Sequence, residues 1–401
     1  MVSRDLYLKK IRPFIGTDVV KVITGMRRSG KSVMLELIQA ELRLREPDAR
    51  IFSINLDDDE NKRFLEKGVL YNHVNNLLKE AGSTRVYLFF DEIHDVEEWE
   101  TAINSLRMRK NADIYITGSN SKLLSGELAT YLTGRYVEIR MTPFSFSEFI
   151  EAASPLFPSE DVTQLFNRYL MAGGVPFLAK VGYEPDACRA YLQDLYGAIL
   201  LKDVVRRKQI RDVDLLDRIV RFVMTECGHT FSARRIVDFL KKERRETSVE
   251  TVLNYLAACE EAFLIARVPR QDLIGKRILA VDEKFYITDT GVRNTVVRGS
   301  LRRDVDQLLE NIVYFEFMRR GYDVTIGRLK EREVDFVCDK GAERLFVQVA
   351  FTLGSEETRQ REYVALEEVK SADGKLLLTM DRLDMSSGTI KHQYIPDFLL
   401  N

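Results

Sequence analysis

The segment Gly25-Met26-Arg27-Arg28-Ser29-Gly30-Lys31-Ser32 follows directly on the apolar run Val19-Val20-Lys21-Val22-Ile23-Thr24 and meets every fixed position of the pattern G-x-x-x-x-G-K-[ST]. Such a loop works between a strand and a helix, so it commits the first part of the chain to an α/β fold. Gly25 and Gly30 let the backbone curl until consecutive N–H groups face the β- and γ-phosphate oxygens of a nucleoside triphosphate. Lys31 would sit on those oxygens and Ser32 on magnesium. Apolar residues at helical spacing over Ser32–Ile38 predict a helix whose positive N-terminal end adds to the anion site. Arg28, Ser29 and Val33, inside and just behind the loop, complete the expected cofactor-binding set. The alternative is a chance glycine turn ahead of a helix.

A second element agrees with the first. Val86-Tyr87-Leu88-Phe89-Phe90 reads as a buried parallel strand that delivers Asp91-Glu92 to the C-terminal edge of a sheet, about sixty residues after the loop. Asp91 would hold Mg²⁺ through water, and Glu92 would polarise the water that attacks the γ-phosphate of ATP. Ala112–Thr117 reads as another buried strand, ending in Gly118-Ser119-Asn120-Ser121. Asn120 is there the candidate to sense the γ-phosphate or the lytic water, against the reading of an ordinary turn. Leu132-Thr133-Gly134-Arg135 leads into an alternating strand over Tyr136–Arg140. The fixed fork of the Arg135 guanidinium suits the γ-phosphate of a neighbouring subunit, although a surface arginine at a strand start looks the same in sequence.

Gly25–Ser32, Asp91-Glu92, Thr117-Gly118-Ser119-Asn120, Gly134-Arg135, Pro143-Phe144-Ser145-Phe146-Ser147-Glu148-Phe149 and Gly173-Gly174-Val175-Pro176, in that order, resemble the AAA+ ATPases. More narrowly, the chain resembles a prokaryotic branch in which the ATPase module precedes a winged helix and a restriction-endonuclease-like domain. The resemblance implies a five-strand sheet in the order 5-1-4-3-2, a helical lid, and ATP sites at subunit boundaries in a homo-oligomer, commonly a hexameric ring. It divides the chain into an ATPase core over 1–155, a lid over 156–205, a winged helix over 206–295 and a nuclease-like domain over 300–401. Within the lid, the Gly-Gly-x-Pro turn would bring backbone and Pro176 close to the base or ribose; a plain helix-breaking turn is the alternative.

Composition sets milder limits. A 30% charged fraction that sums to only −2 exerts no global pull toward nucleic acid or membrane, so any basic site must be local. Cys188, Cys227, Cys259 and Cys338 lie far apart, and the four histidines do not cluster, which argues against a zinc site or a disulfide framework. No apolar stretch approaches the length of a membrane span, and a cytoplasmic protein is the expectation.

The second half is looser. Phe166–Met171 and Ala187–Leu201 read as helices, and Lys202–Arg211 holds five basic residues against one acid, either a solvated face or a phosphate-backbone contact. Three helices follow, over Leu215–Thr225, Ser232–Lys242 and Ser248–Glu261, with Ser232 and Ser248 as N-caps, and then two β-like runs, Phe263–Val268 and Lys284–Thr288. That order is the winged-helix order. Its third helix carries three acids and no base, which suits groove reading poorly; positive charge sits in Lys241-Lys242-Glu243-Arg244-Arg245 and in Arg270, Lys276 and Arg277 of the wing. DNA contact through those residues and a role in packing or ring assembly both remain open.

From near Leu301, the helix Leu308–Glu316 and the strands Arg332–Val337 and Arg344–Ala350 look like the acid-bearing elements of restriction-endonuclease-like nucleases, with Glu310 and Asp335 as metal carboxylates. The third element reads Gln348-Val349-Ala350 and lacks both its acid and its lysine. Gln348 is left to lend a carbonyl oxygen to a metal, and Lys330 or Lys340 to replace the missing base; a docking surface rather than a nuclease is the expectation. Two main functions follow: an ATP-driven ring acting on DNA, including branched or junction DNA, as in the bacterial branch-migration motor with the same domain order, or an ATP-dependent signalling or defence switch whose C-terminal part binds a protein partner. An ATP-gated nuclease is the third.

Overall fold

A computed structural model describes residues 2–121, 134–275, 277–297, 304–330 and 332–401, with the side chains of 277 and 279–282 set aside. Leu132, Thr133, Lys276, the side chain of Arg277 and the domain start near Leu301, all named above, lie outside the described residues. Two compact units emerge, Met1–Met141 with Glu261–Phe263, and Thr142–Glu260 with Leu264–Asn401.

The first unit is built on five parallel strands, β1 (Val20–Gly25), β2 (Arg50–Asn55), β3 (Val86–Asp91), β4 (Ala112–Gly118) and β5 (Tyr136–Met141), in the order β5-β1-β4-β3-β2. Helices α1 (Asp5–Ile11), α2 (Lys31–Arg45), α3 (Val69–Ala81) and α4 (Trp99–Arg107) cover it. The three inner strands β1, β3 and β4 are buried along their whole length because both faces are covered. Along β3, Val86, Leu88 and Phe90 join the core with Leu70, Val74 and Ile103, whereas Tyr87 and Phe89 join the core with Met34 and Ile38. Each such side chain, fully removed from water, contributes about 1.5–3 kcal/mol. The sheet thus presents the ends of β1, β3 and β4 along one edge, where their connecting loops carry the polar residues.

The second unit begins with α5 (Phe146–Ala153), α6 (Val162–Ala172) and α7 (Pro185–Ala198). Helix α5 starts in a capping box: the Ser145 hydroxyl accepts from the Glu148 N–H, and the Glu148 carboxylate accepts from the Ser145 N–H. After α7 the coil widens into π-helical turns over Ile199–Arg206 and carries the basic run with it. There follow α8 (Val213–Thr225), the short β6 (Thr230–Phe231), α9 (Ala233–Lys242), α10 (Val249–Glu261), the hairpin strands β7 (Ile265–Asp272) and β8 (Arg277–Ile287), and α11 (Thr290–Val296). The chain closes with α12 (Val305–Arg319), β9 (Asp323–Leu329), β10 (Arg332–Lys340), β11 (Glu343–Val349), α13 (Glu356–Glu367), β12 (Gly374–Thr379), β13 (Ile390–Tyr394) and α14 (Ile395–Leu400).

All eight strands of this unit form one sheet, in the order β13-β12-β11-β10-β9-β7-β8-β6. The hairpin and the C-terminal strands, which the sequence divides near residue 300, are joined by parallel pairing of Arg270, Gln271 and Asp272 with Ile326, Gly327 and Arg328. Residues Lys284–Ile287 of β8 are thereby brought to the same sheet as β10 and β11.

Candidate functional site

The predicted phosphate loop leaves β1 and enters α2 as the spacing requires. Gly25 has φ 147°, Arg28 φ 65° and Gly30 φ 98°, and a Cβ on Gly25 would stand 2.2 Å from the Met141 carbonyl oxygen. Only glycine fits that last position. Gly30, the N-cap residue of α2, provides no side-chain cap, so the first turn keeps its N–H groups for another acceptor. Inside the loop the Ser29 hydroxyl is buried without a hydrogen-bond partner. Uncapped donors, an orphaned hydroxyl and a backbone curled by positive φ form a cradle that fits phosphate oxygens.

Lys31, 4% exposed, folds back so that Nζ donates to the carbonyl oxygens of Gly25 and Met26 at 3.2 and 3.3 Å and stands 3.6 Å from Glu92 Oε1. Asp91 ends β3 buried. Burial raises its pKa, against hydrogen bonds from Ser32 and Thr117 that favour the charged form. Ser32 and Asp91, the two expected magnesium ligands, are therefore in direct contact, and they fit a hard divalent cation with its oxygen preference. Glu92 follows at φ 53°. Its N–H donates to Thr117 Oγ1 at 2.9 Å, its Oε2 accepts from the Ser119 N–H at 3.3 Å, and His94 Nδ1 lies 3.2 Å away. The end of β4 thus meets the end of β3, with Asn120 buried in the following turn.

Of the remaining predicted residues, Val33 is 39% exposed on the first turn of α2, and Arg28 is exposed at the loop crest. Arg135 is exposed at the start of β5, where its carbonyl accepts from the Val20 N–H at 2.9 Å. Pro176 belongs to the second unit and opens a 3₁₀ turn over Pro176–Val181. The glycines before it have a local reason: a Cβ on Gly173 would lie 2.3 Å from Asp289 Oδ1, and one on Gly174 2.2 Å from the Phe144 carbonyl oxygen. Asp289 Oδ2 accepts from the Gly174 N–H at 2.7 Å. Sequence reasoning passed over two residues here. His94 carries a signal in standing two positions after Glu92; Thr117 belongs to the Thr117-Gly118-Ser119-Asn120 motif but has no role of its own in sequence, and here its hydroxyl ties Asp91 to the Glu92 backbone.

In the second unit Glu310 and Asp335 come together, and Lys284 of β8 stands with them. Its Nζ lies 3.0 Å from Glu310 Oε2, 2.7 Å from Glu333 Oε1 and 3.8 Å from Asp335 Oδ1. Gln348 Oε1 accepts from the Asp335 N–H at 3.2 Å, so its carbonyl faces backbone and is not offered to a metal. Lys340 lies over the Tyr322 ring, 5.2 Å from its centroid, and Lys330 lines a cavity with Leu329 and Arg344. The lysine of this cluster is Lys284, which no pattern within residues 300–401 contains.

Known proteins frame the geometry. A family described as an AAA domain matches residues 17–150, and a domain of unknown function (DUF8612) matches residues 163–305. An uncharacterized protein of Haemophilus influenzae is 35% identical over 402 residues, covering 100% of this chain and 99% of its own length. An uncharacterized protein of Methanocaldococcus jannaschii is 29% identical over 381 residues, covering 92% of this chain and 81% of its own. Among solved structures, AMPPCP-bound DnaA from Aquifex aeolicus aligns at 14% identity with a TM-score of 0.34, over 63% of this chain and 86% of that one. C. elegans PCH-2 aligns at 18% identity with a TM-score of 0.26, over 39% of this chain and 43% of that one. The chain spans less than half of PCH-2, and alignments this loose carry no argument here. Among the described residues no helix is long and apolar enough to cross a membrane. Identity along the full length of both chains makes this protein a member of the Haemophilus influenzae protein's family, and residues 17–150, which carry the phosphate loop on a five-stranded parallel sheet, match the AAA domain.

Proposed function

We propose that the protein binds and hydrolyses Mg-ATP at the edge formed by β1, β3 and β4, and does so as a homo-oligomeric ring acting on DNA. The observation that carries the ATPase reading is the convergence of Lys31, Ser32, Asp91, Glu92 and Thr117 on one uncapped helix N-terminus. Ser32 and Asp91 would hold Mg²⁺, which neutralises charge on the phosphates when bound. Lys31 leaves the carbonyls of Gly25 and Met26 for the phosphate oxygens. Glu92 orients the attacking water and takes its proton, Asn120 senses the γ-phosphate, and Arg135 of a neighbouring subunit adds positive charge as the transition state forms. Pro176 would border the base.

The same reading divides the second unit into a lid, a winged helix over α8, α9, α10 and the β7–β8 hairpin, and a nuclease-like domain from α12 onward. Support for DNA comes from the basic run Lys202–Arg211 and from domain order. One observation favours the second reading, a switch on a protein partner. Arg245 and Arg218 are paired with Asp214, Arg218 also with Glu243, and Arg267 of β7 with Glu260, so part of the charge of the three helices and the hairpin is already spent within them.

Steady-state ATP hydrolysis, alone and with single-stranded, duplex and four-way-junction DNA, tests both. Lys31→Ala is expected to lose nucleotide binding, and Glu92→Gln to keep binding while turnover falls by about a hundredfold or more. Turnover by Glu92→Gln at the wild-type rate would remove Glu92 from the mechanism. Stimulation by one DNA form supports the DNA reading; Glu92-dependent turnover indifferent to all three supports the protein switch.

A further inference from the structure

The inference rests on the nuclease-like reading of α12, β9, β10, β11, α13 and β12 proposed above, which would call for a divalent cation between Glu310 and Asp335; the residues there do not fit one. An Mg²⁺ ion demands near-octahedral oxygen contacts at about 2.0–2.1 Å and keeps several waters. The space between the carboxylates of Glu310, Glu333 and Asp335 is instead filled by the ammonium of Lys284, which is 3% exposed. It arrives from β8, the strand of the hairpin that enters the sheet through β7 and β9.

Two more donors reach these carboxylates. Tyr286 donates its hydroxyl to Glu310 Oε2 at 3.0 Å, and the Val349 N–H donates to Asp335 Oδ2 at 2.9 Å. Gln348, at the place of the second metal carboxylate, turns its oxygen to the Asp335 N–H. Tyr286 stacks on Tyr314 of α12 with ring centroids 4.9 Å apart, which closes the cluster on a third side. An ion entering here would meet the fixed positive charge of Lys284 within contact distance of all three carboxylates.

We propose that Lys284 is a resident cation standing in the divalent-metal seat of a nuclease-like centre, so that this part of the chain is closed to metal and phosphodiester cleavage, and that removing Lys284 alone opens a latent Mn²⁺ or Mg²⁺ site of Glu310, Glu333 and Asp335. The ammonium also fastens β8 to α12 and β10, which ties the hairpin into the C-terminal fold. The inference concerns the second unit and stands apart from the ATPase reading.

The test uses nucleotide-free full-length protein and Mn²⁺ as probe, with binding followed by electron paramagnetic resonance and stability by thermal melting. Wild type is expected to bind no Mn²⁺ that Asp335→Asn removes, and its melting temperature to be indifferent to the metal. Lys284→Ala is expected to melt lower, to gain Mn²⁺ affinity by about tenfold or more, and to recover much of its stability when the ion is added. Lys284→Ala/Glu310→Gln should lose that recovery. Mn²⁺ uptake by wild type that Asp335→Asn abolishes overturns the proposal, as does a folded Lys284→Ala that ignores Mn²⁺. Should Lys284→Ala not fold, Lys284→Met, which keeps the apolar stem, takes its place, and the wild-type titration against Asp335→Asn decides alone if neither variant folds.

Discussion

Asp289 sits buried among four backbone N–H donors, those of Gly174, Val175, Gly291 and Val292, and its carboxylate leaves no room for a side chain at Gly173. Burial pushes its carboxyl up to about 6, against the donors, which favour the charged form. The folded pKa is therefore above the unfolded value of 3.8. Stability from this group is complete below the unfolded pKa and is lost as pH rises through about 6. Relative to Asp289→Asn, the wild type should lose about 2 kcal/mol of unfolding free energy between pH 4 and pH 7. Urea titrations of both proteins across that range check it, and a difference that stays flat with pH would remove Asp289 as the titrating group. At the same scale, Glu92, the proposed water-activating residue, is held on every side: Lys31, His94 and the Ser119 N–H surround its carboxylate, while Thr117 holds its backbone.

Among the elements, β1 has the least expected inner residue. Lys21 interrupts an apolar strand, and the alternation alone would place it at a solvated edge. It is wholly buried, paired with the equally buried Asp113 of β4, and it also donates to the Val19 carbonyl at 2.9 Å and lies 4.7 Å from the Tyr115 ring centroid. Asp113 in turn accepts from the Gly16 N–H at 2.7 Å. Burial lowers the Lys21 pKa, and Asp113 opposes the shift. Lys21→Ala leaves a carboxylate uncompensated inside the sheet and is expected to cost about 3–5 kcal/mol, whereas Lys21→Met/Asp113→Leu should recover most of it. Chemical denaturation of the three proteins measures both effects. A loss below about 1 kcal/mol for the single change would show that the pair does not hold β1 to β4.

For the whole molecule, the proposal of shared sites rests on Arg135, which stands exposed at the start of the edge strand β5. If Arg135 serves a neighbour, Arg135→Ala and Glu92→Gln chains should each be nearly inactive alone and should regain turnover when mixed, because some sites then combine an intact Glu92 with an intact Arg135 from the adjacent subunit. Activity of the mixture no greater than the sum of its parts would place Arg135 outside the site. The formal net charge of −2 gives such an assembly no overall attraction for nucleic acid, so DNA affinity, where present, should fall steeply with salt in proportion to a few local contacts.

Much of this architecture can be read along the chain because its chemistry is local. The phosphate loop, Asp91-Glu92 after a buried strand, and the serine caps at Ser232 and Ser248 each depend on residues within a turn or two, and each stands where its pattern requires. The predominance of apolar residues in β1, β3 and β4 likewise announces a sheet covered on both faces. What the chain order conceals is which distant side chains meet. Lys21 finds Asp113 across 92 positions, and Gly174 finds Asp289 across 115. Lys284 reaches Glu310 only because β7 pairs with β9 and carries the hairpin into the C-terminal sheet. Strand alternation and capping are properties of neighbouring residues, but strand order is chosen by how whole faces bury one another, so the partner of a buried charge exists only once the sheet has closed.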